Sequence, residues 1–227
     1  MIKLCAFADE AGKSLQEQIE ALKRNNINLI ELRGIDGENI ADISEEKAVN
    51  YARVLDENGI KVWAIGSPLG KIDINDDFNK HLELAKHIIK LAGIFGTDKV
   101  RVFSFYIHDH EKDRKRVIKR LNEMTALAAL SDIKLYHENE KDIYGDTLKY
   151  VTDILSNVKG LKCVFDPANF IQCRQDINEA IDALAEKADY FHIKDATYEN
   201  GEVVPAGLGD GEIPRLIDTI KGLFCQR

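Results

Sequence analysis

The sequence predicts an α/β fold whose parallel sheet closes into a (β/α) barrel, on three observations. Short β-prone apolar runs alternate with amphipathic helical stretches from end to end, with no linker or low-complexity segment between them. Polar groups end at least five of those runs, as expected where strand C-termini gather on one face of a barrel. The glycine fingerprint of a dinucleotide fold is missing after the first run, where Asp9-Glu10-Ala11-Gly12 stands instead, which counts against an open doubly wound sheet.

The first run, Leu4 to Ala8, closes on Asp9-Glu10. Ser14, with Glu17 three residues on, has the form of a capping box and opens a helix with Leu15, Ile19 and Leu22 on one face. Asn25-Asn26 stops it, and Ile27 to Leu32 reads as the second strand, carrying Glu31 and Arg33. Ser44 caps a helix with Val49, Ala52 and Leu55 facing inward, and Gly59 ends it. Ile60 to Ile65 is the third strand and runs into the turn Gly66-Ser67-Pro68-Leu69-Gly70-Lys71. A long helix follows over Phe78 to Phe95, then a fourth strand over Lys99 to Phe105 and a charged helix from about Glu111 to Leu130. Ile133 to Asn139, Leu161 to Phe165 and Tyr190 to Ile193 are strands five to seven. Helices are expected after Tyr144 or Asp146, from Asp176, and over Ile213 to Leu223, where Pro214 sits in the tolerant first turn.

The chain has 227 residues, 44% apolar and 31% charged, an ordinary globular composition. Its net charge of −8 is spread along the chain and leaves no basic footprint for nucleic acid. No apolar stretch approaches the roughly 20 residues of a membrane span, and the N-terminus lacks a signal-peptide core, so a cytoplasmic protein is expected. The scattered cysteines Cys5, Cys163, Cys173 and Cys225 form no C-x-x-C pair and read as free thiols, with Cys5 and Cys163 in the core.

Three strand tails carry the chemistry: His137-Glu138-Asn139-Glu140, Asp166-Pro167-Ala168-Asn169 and His192-Ile193-Lys194-Asp195. Alternation along a strand puts Tyr136, Glu138 and Glu140 on one face and His137 on the other, so Glu138 can aim into the barrel mouth while His137 points outward. Two carboxylates and an imidazole at one point suggest a divalent metal site, and suit Mn²⁺, Mg²⁺, Co²⁺ or Zn²⁺ without choosing among them. The competing reading makes Glu138 and Asp166 strand-end caps of the following helices. Lys71, Arg33 and Arg101 are read as cations for substrate hydroxyls or an anion, or alternatively as ion-pair partners of Glu31, Asp9 or Glu10. The glycine turn before Lys71 could bring backbone N–H groups near an anion. Lys194 could polarise a substrate oxygen or pair with Asp166 or Asp195, and Asn169 could bind substrate or orient a ligand. His108 and His110 are expected in an exposed loop, and His81 and His87 on the surface.

These motifs resemble the sugar phosphate isomerase/epimerase family, the xylose isomerase-like TIM barrels that also include endonuclease IV. The resemblance runs from Phe7-Ala8-Asp9-Glu10 through Ile30-Glu31-Leu32-Arg33, Ser67-Pro68-Leu69-Gly70-Lys71 and Arg101-Val102-Phe103-Ser104-Phe105-Tyr106. It continues through His137-Glu138-Asn139-Glu140, Tyr144-Gly145-Asp146, Asp166-Pro167-Ala168-Asn169-Phe170 and His192-Ile193-Lys194-Asp195-Ala196 to Gly207-Leu208-Gly209-Asp210-Gly211. It implies one divalent metal with Glu138, Asp166 and His192 as three of four ligands, the fourth being a Glu on an eighth strand. It also implies isomerisation or epimerisation of a sugar or sugar phosphate through an enediolate, with Glu138 as a catalytic residue, to which the alternation argument adds Lys194. An inosose-type dehydratase or a non-catalytic sugar-binding barrel are the alternatives; a three-metal endonuclease would need many more His ligands. Seven βα units are counted, so an eighth strand is expected to be missing, activity to suffer, and the barrel edge to lie open. Either a partner copy covers that edge or the chain is a shortened form of a longer protein, which the unfinished look of Leu223 and Phe224 favours.

Overall fold

Six of the apolar runs satisfy their backbone groups by pairing side by side. Strands β1 (Leu29–Leu32), β2 (Lys61–Gly66), β3 (Lys99–Val102), β4 (Lys134–Glu138), β5 (Lys162–Phe165) and β6 (Ala188–Phe191) form one sheet in chain order, parallel throughout. Between and after them run α1 (Leu15–Arg24), α2 (Glu45–Glu57), α3 (Phe78–Ile94), α4 (His110–Ala129), α5 (Leu148–Asn157), α6 (Pro167–Gln172), α7 (Ile177–Leu184) and α8 (Ile213–Cys225). The computed structural model describes residues 2–225, without the side chains of 224 and 225. The expectations for Phe224 and for the Cys225 thiol therefore lie outside the described residues. The sheet curls into an α/β barrel that is partly open. No helix of the described residues is long and apolar enough to cross a membrane.

The first expected strand is reduced to one parallel bridge between Ala6 and Ile30, where the Ala6 N–H reaches Leu29 O at 3.2 Å and Ala6 O accepts from Glu31 N–H at 3.0 Å. The chain then turns into a single 3₁₀ turn at Ala8–Glu10. On the far side of Ala6 no described strand follows, so Leu4 is left 69% exposed. Cys5 is exposed as well, not a core residue, while Cys163 is buried as expected. Burial pushes the Cys163 and Cys173 thiols up to about 12, which keeps both protonated at neutral pH.

The caps at Ser14 and Ser44 are present, the first as a complete capping box with Glu17. Helix α2 is rotated relative to the expected face: it buries Ala48, Tyr51 and Leu55 and leaves Val49 exposed. The Tyr51 hydroxyl on this buried face donates to Asp36 at 2.8 Å. Helix α6 was not expected, although Asp166 followed by proline is a strong start signal; the Asp166 side chain accepts from Asn169 N–H and Pro167 occupies the first turn.

His81 lies inside the fold rather than on its surface. Its Nε2 accepts the Gly70 N–H at 2.8 Å, and this holds α3 to the turn after β2. Gly70 has φ +87, and a Cβ there would overlap the Phe103 carbonyl, so the turn needs glycine. His87 is half-buried, its Nε2 3.0 Å from Ile43 O. Burial, with Arg120 nearby, holds the His81 imidazole neutral and pushes its pKa down to about 4. The unfolded chain thus takes up a proton near pH 6.5 that the folded chain refuses until about pH 4. This contribution to stability is complete above pH 6.5 and is lost as the pH falls toward 4. Urea unfolding at about pH 7 and pH 5 should therefore show a smaller pH effect in His81→Gln, which keeps an acceptor without the titration, than in the parent. His81→Leu, which leaves the Gly70 N–H buried without an acceptor, should lose about 1 to 3 kcal/mol at neutral pH.

Candidate metal centre

Glu138 is the last residue of β4, Asp166 follows β5 directly, and His192 follows β6. Parallel strands put these positions on one rim, and side-chain alternation turns Glu138 inward. The three residues are buried, and each offers a ligand atom within 4.8 Å of the others. His137 points away from the barrel into the layer beneath the helices. It is completely buried, and Gly145 lies so close to its ring that no Cβ would fit there. Burial pushes its pKa down to about 4 and keeps it neutral.

Each of the three groups turns one donor atom toward the shared point and has its other atom held from behind. Glu138 Oε1 lies 2.9 Å from His192 Nδ1, while Oε2 accepts from Arg101 Nη1 at 3.0 Å. Asp166 Oδ2 lies 3.8 Å from His192 Nδ1, while Oδ1 accepts the Asn169 N–H at 3.0 Å. The second ring nitrogen, His192 Nε2, lies 3.1 Å from Glu31 Oε2. Asn139 brackets the Asp166 backbone, donating to its O at 2.8 Å and accepting from its N–H at 2.9 Å. Two carboxylate oxygens and one imidazole nitrogen, aimed together and supported from outside, fit a divalent cation.

The electrostatics follow from this crowding. Burial alone would depress His192, but Glu138 and Glu31, one on each ring nitrogen, outweigh it and hold the imidazolium up to about 10. Burial would likewise raise Glu138, yet the His192 and Arg101 charges win and hold it well below the usual carboxylate range. Asp166 lacks such close cations; burial, reinforced by the Glu138 charge, pushes it up to about 7. The imidazolium therefore satisfies the carboxylates in the absence of a metal.

Arg101, expected among the substrate-binding groups, is a buried residue inside the barrel, bonded to Glu138 and to Ser67 O at 3.2 Å and stacked on the Phe103 ring at 4.7 Å. Asn169 is also engaged with protein: it donates to Asn139 O at 2.8 Å and accepts from Lys194 Nζ at 3.0 Å. Lys194 is thereby aimed at the centre, 3.9 Å from Asp166 Oδ2. Lys71 and Arg33 stand at the rim. Lys71 pairs with Glu140 at 3.1 Å over the other part of the Phe103 environment, 4.2 Å from that ring. Arg33 holds Asp9 at 3.1 Å and Glu10 at 2.9 Å and stacks on Phe7, whose ring meets His192 edge-on at 4.9 Å. His108 is exposed and pairs with Asp73, whereas His110 opens α4, bonds Asp146 at 3.0 Å and stacks on Tyr150. Sequence reasoning did not assign a role to Glu31 beyond pairing with a cation, nor any to Asn139. A lone carboxylate between Ile30 and Leu32, aimed inward by alternation, was the available signal for the first.

The sequence matches the family described as Xylose isomerase-like TIM barrel over residues 19–223. A search of curated proteins finds no match. Among solved structures, the probable 3-DHS dehydratase AsbF from Bacillus anthracis superposes with a TM-score of 0.79 at 20% identity, over 97% of this chain and 89% of that one. The IOLI protein with a binding zinc atom gives 0.80 at 18% identity, over 98% and 85%. A xylose isomerase-like TIM barrel protein from Mycobacterium smegmatis in complex with magnesium gives 0.73 at 17%, over 97% and 86%. At such identities these likenesses are of fold, but the family match spans nearly the whole chain, and the protein belongs to the xylose isomerase-like TIM barrel family.

Proposed function

We propose that this barrel is a divalent-metal-dependent isomerase or epimerase of a sugar or sugar derivative, working through an enediolate. Its family and its donor set make it an enzyme of the sugar isomerase/epimerase-like class. The observation that carries the narrower reading is the convergence of Glu138, Asp166 and His192 beside the Lys194 ammonium. A divalent ion held by the three donors would stabilise the negative charge that develops on neighbouring carbonyl and hydroxyl oxygens as a carbon-bound proton leaves.

Glu138 takes the role of proton acceptor. Arg101 fixes its carboxylate in the anionic form and in one orientation, at the expense of basicity. Lys194, steadied by Asn169, donates a hydrogen bond to a substrate oxygen and returns a proton. The rim pairs Lys71–Glu140 and Arg33–Asp9 face hydroxyl groups of the substrate, and Phe7 shields the His192 ring from water. Lys194 also supports a second reading, dehydration on the same centre, because an ammonium near Asp166 can protonate a departing hydroxyl. Analysis of products from ketose and inosose-type substrates distinguishes the two: retention of all oxygens favours isomerisation, and loss of water favours dehydration.

Two outcomes test the centre itself. The parent should bind one Mn²⁺ or Zn²⁺ by metal analysis after dialysis, and Glu138→Ala should weaken binding by more than about 100-fold, since a ligand contributes at least as much as the groups behind it. A parent that binds no divalent metal would sink the proposal. Metal uptake should also displace the His192 proton and part of the Asp166 proton, because these groups sit near 10 and 7. Calorimetry in buffers of different ionisation enthalpy should show net proton release on metal binding, larger at pH 7 than at pH 8.5, with apparent affinity rising as the pH rises.

A further inference from the structure

The Lys194 ammonium has one hydrogen-bond acceptor, Asn169 Oδ1 at 3.0 Å, and stands 3.9 Å from Asp166 Oδ2 with its side chain 39% exposed. A flexible four-carbon stem with one contact at its tip is aimed chiefly by the backbone that carries it. That backbone has left the sheet: the parallel ladder with β5 ends where the His192 N–H donates to Phe165 O at 3.0 Å. The next fixed point along the chain is Asp195.

Asp195 is fully buried, and its whole carboxylate is taken up by backbone amides. Oδ1 accepts the Ala196 and Gly211 N–H groups at 2.9 and 2.8 Å, and Oδ2 accepts those of Gly207 and Gly209 at 2.8 and 3.0 Å. Backbone N–H groups converging on one point make a concavity for an anion, and here the anion belongs to the chain itself. Two of the glycines follow from it, because a Cβ at Gly209 or Gly211 would stand 2.5 or 2.6 Å from Asp195 Oδ1. Asparagine does not substitute: whichever way its amide is turned, an NH₂ group points at two N–H donors and accepts from neither.

The cradle also joins the strand tail to α6. Residues 197–211 fold back over it, so that Val203–Val204 pair antiparallel with Asp195–Ala196, and the Asp210 N–H reaches Ala196 O at 2.8 Å. The same loop rests on α6: Gln172 Nε2 donates to Gly201 O at 2.9 Å, and a Cβ at Gly211 would come within 3.5 Å of Pro167. Helix α6 carries Asn169, the acceptor for Lys194. Asp195 thus bears on both ends of that hydrogen bond, on the ammonium through the adjoining backbone and on its acceptor through the loop. The metal donors Asp166 and His192 have separate supports in Asn139 and Glu31.

Resting on the reading of Lys194 as donor to a substrate oxygen, we propose that Asp195 is a positioning residue for the reaction: its amide-bound carboxylate holds the Lys194 ammonium beside the metal donors. The test variant is Asp195→Asn. Gly207→Ala is a milder one, straining a single donor at φ +89 where the added methyl has room. Leu208→Ala, on the same loop but 74% exposed, is the control. Amine labelling with acetic anhydride, resolved by peptide mass spectrometry, reads Lys194 against Lys71, which pairs with Glu140 outside the cradle. The ratio of Lys194 to Lys71 labelling should rise about threefold or more in Asp195→Asn, the scale of one hydrogen bond. It should rise less in Gly207→Ala and not at all in Leu208→Ala. On any sugar that the parent turns over, kcat of Asp195→Asn should fall about tenfold or more, with Mn²⁺ affinity within about threefold of the parent. Labelling that rises equally at both lysines, a ratio unchanged in both cradle variants, or Mn²⁺ affinity that falls as far as kcat overturns the positioning role. A raised ratio with kcat unchanged overturns the part given to Lys194 in the reaction, and the proposal with it. A parent that turns over no sugar counts against the isomerase reading alone, and the labelling ratio then decides the placement of Lys194 by itself.

Discussion

The His192 imidazole, gripped by Glu138 on one nitrogen and Glu31 on the other, is the contact on which the barrel mouth depends. It joins the last strand of the sheet to the first across the interior, where no described strand joins them through backbone bonds. In a barrel that is partly open, a side-chain bridge of this kind does part of what a closing strand does elsewhere. Tyr190, two residues earlier on the same inward face, adds a second link by donating to Glu31 Oε1 at 3.3 Å. Arg101 completes the set from β3, between the two glutamates. Three buried carboxylates, Glu31, Glu138 and Asp166, thus face three cations, Arg101, His192 and Lys194. Uncompensated charge at this depth would cost several kcal/mol per group.

This balance also holds the donor set in place. Each ligand residue has one atom restrained by a partner that a metal would not displace: Arg101 behind Glu138, the Asn169 amide behind Asp166, Glu31 behind His192. Along the inner edge of the set, His192 Nδ1 and Glu138 Oε1 lie 2.9 Å apart. The carboxylate behind the imidazole selects which nitrogen remains for coordination, a familiar arrangement for metal-ligating histidines. Asn139 acts one step further out, gripping both backbone groups of Asp166 as a neighbouring strand would.

Much of this was legible in the sequence because it follows from short-range rules. The strand tails ending in Glu138, Asp166 and His192 could be read from apolar run length, and the inward aim of Glu138 and outward aim of His137 from alternation alone. What could not be read depends on contacts between distant segments. His81 looks like an ordinary helix residue until Gly70 arrives from the preceding loop to occupy its nitrogen. Arg101 and Asn169 have the chemistry of substrate-binding residues, and only the fold shows Glu138, Asn139 and Lys194 already holding them. Nothing in the sequence of Gly207, Gly209 and Gly211 showed that their N–H groups hold an internal anion, the Asp195 carboxylate. The segment Leu4 to Ala8 has strand composition, yet its pairing is confined to the bridge between Ala6 and Ile30.

The bond between Glu31 and His192 spans 161 residues of sequence. Closing a loop of that length costs about 4 to 5 kcal/mol of chain entropy before any contact returns it, whereas the contacts between neighbouring strands are far more local. The order of assembly follows. Strands β1 to β5 and their helices can associate stepwise as they are made, and the imidazole can reach Glu31 only once β6 is in place. Metal affinity is therefore a property of the finished barrel, and partly folded chains expose carboxylates without the geometry to hold an ion.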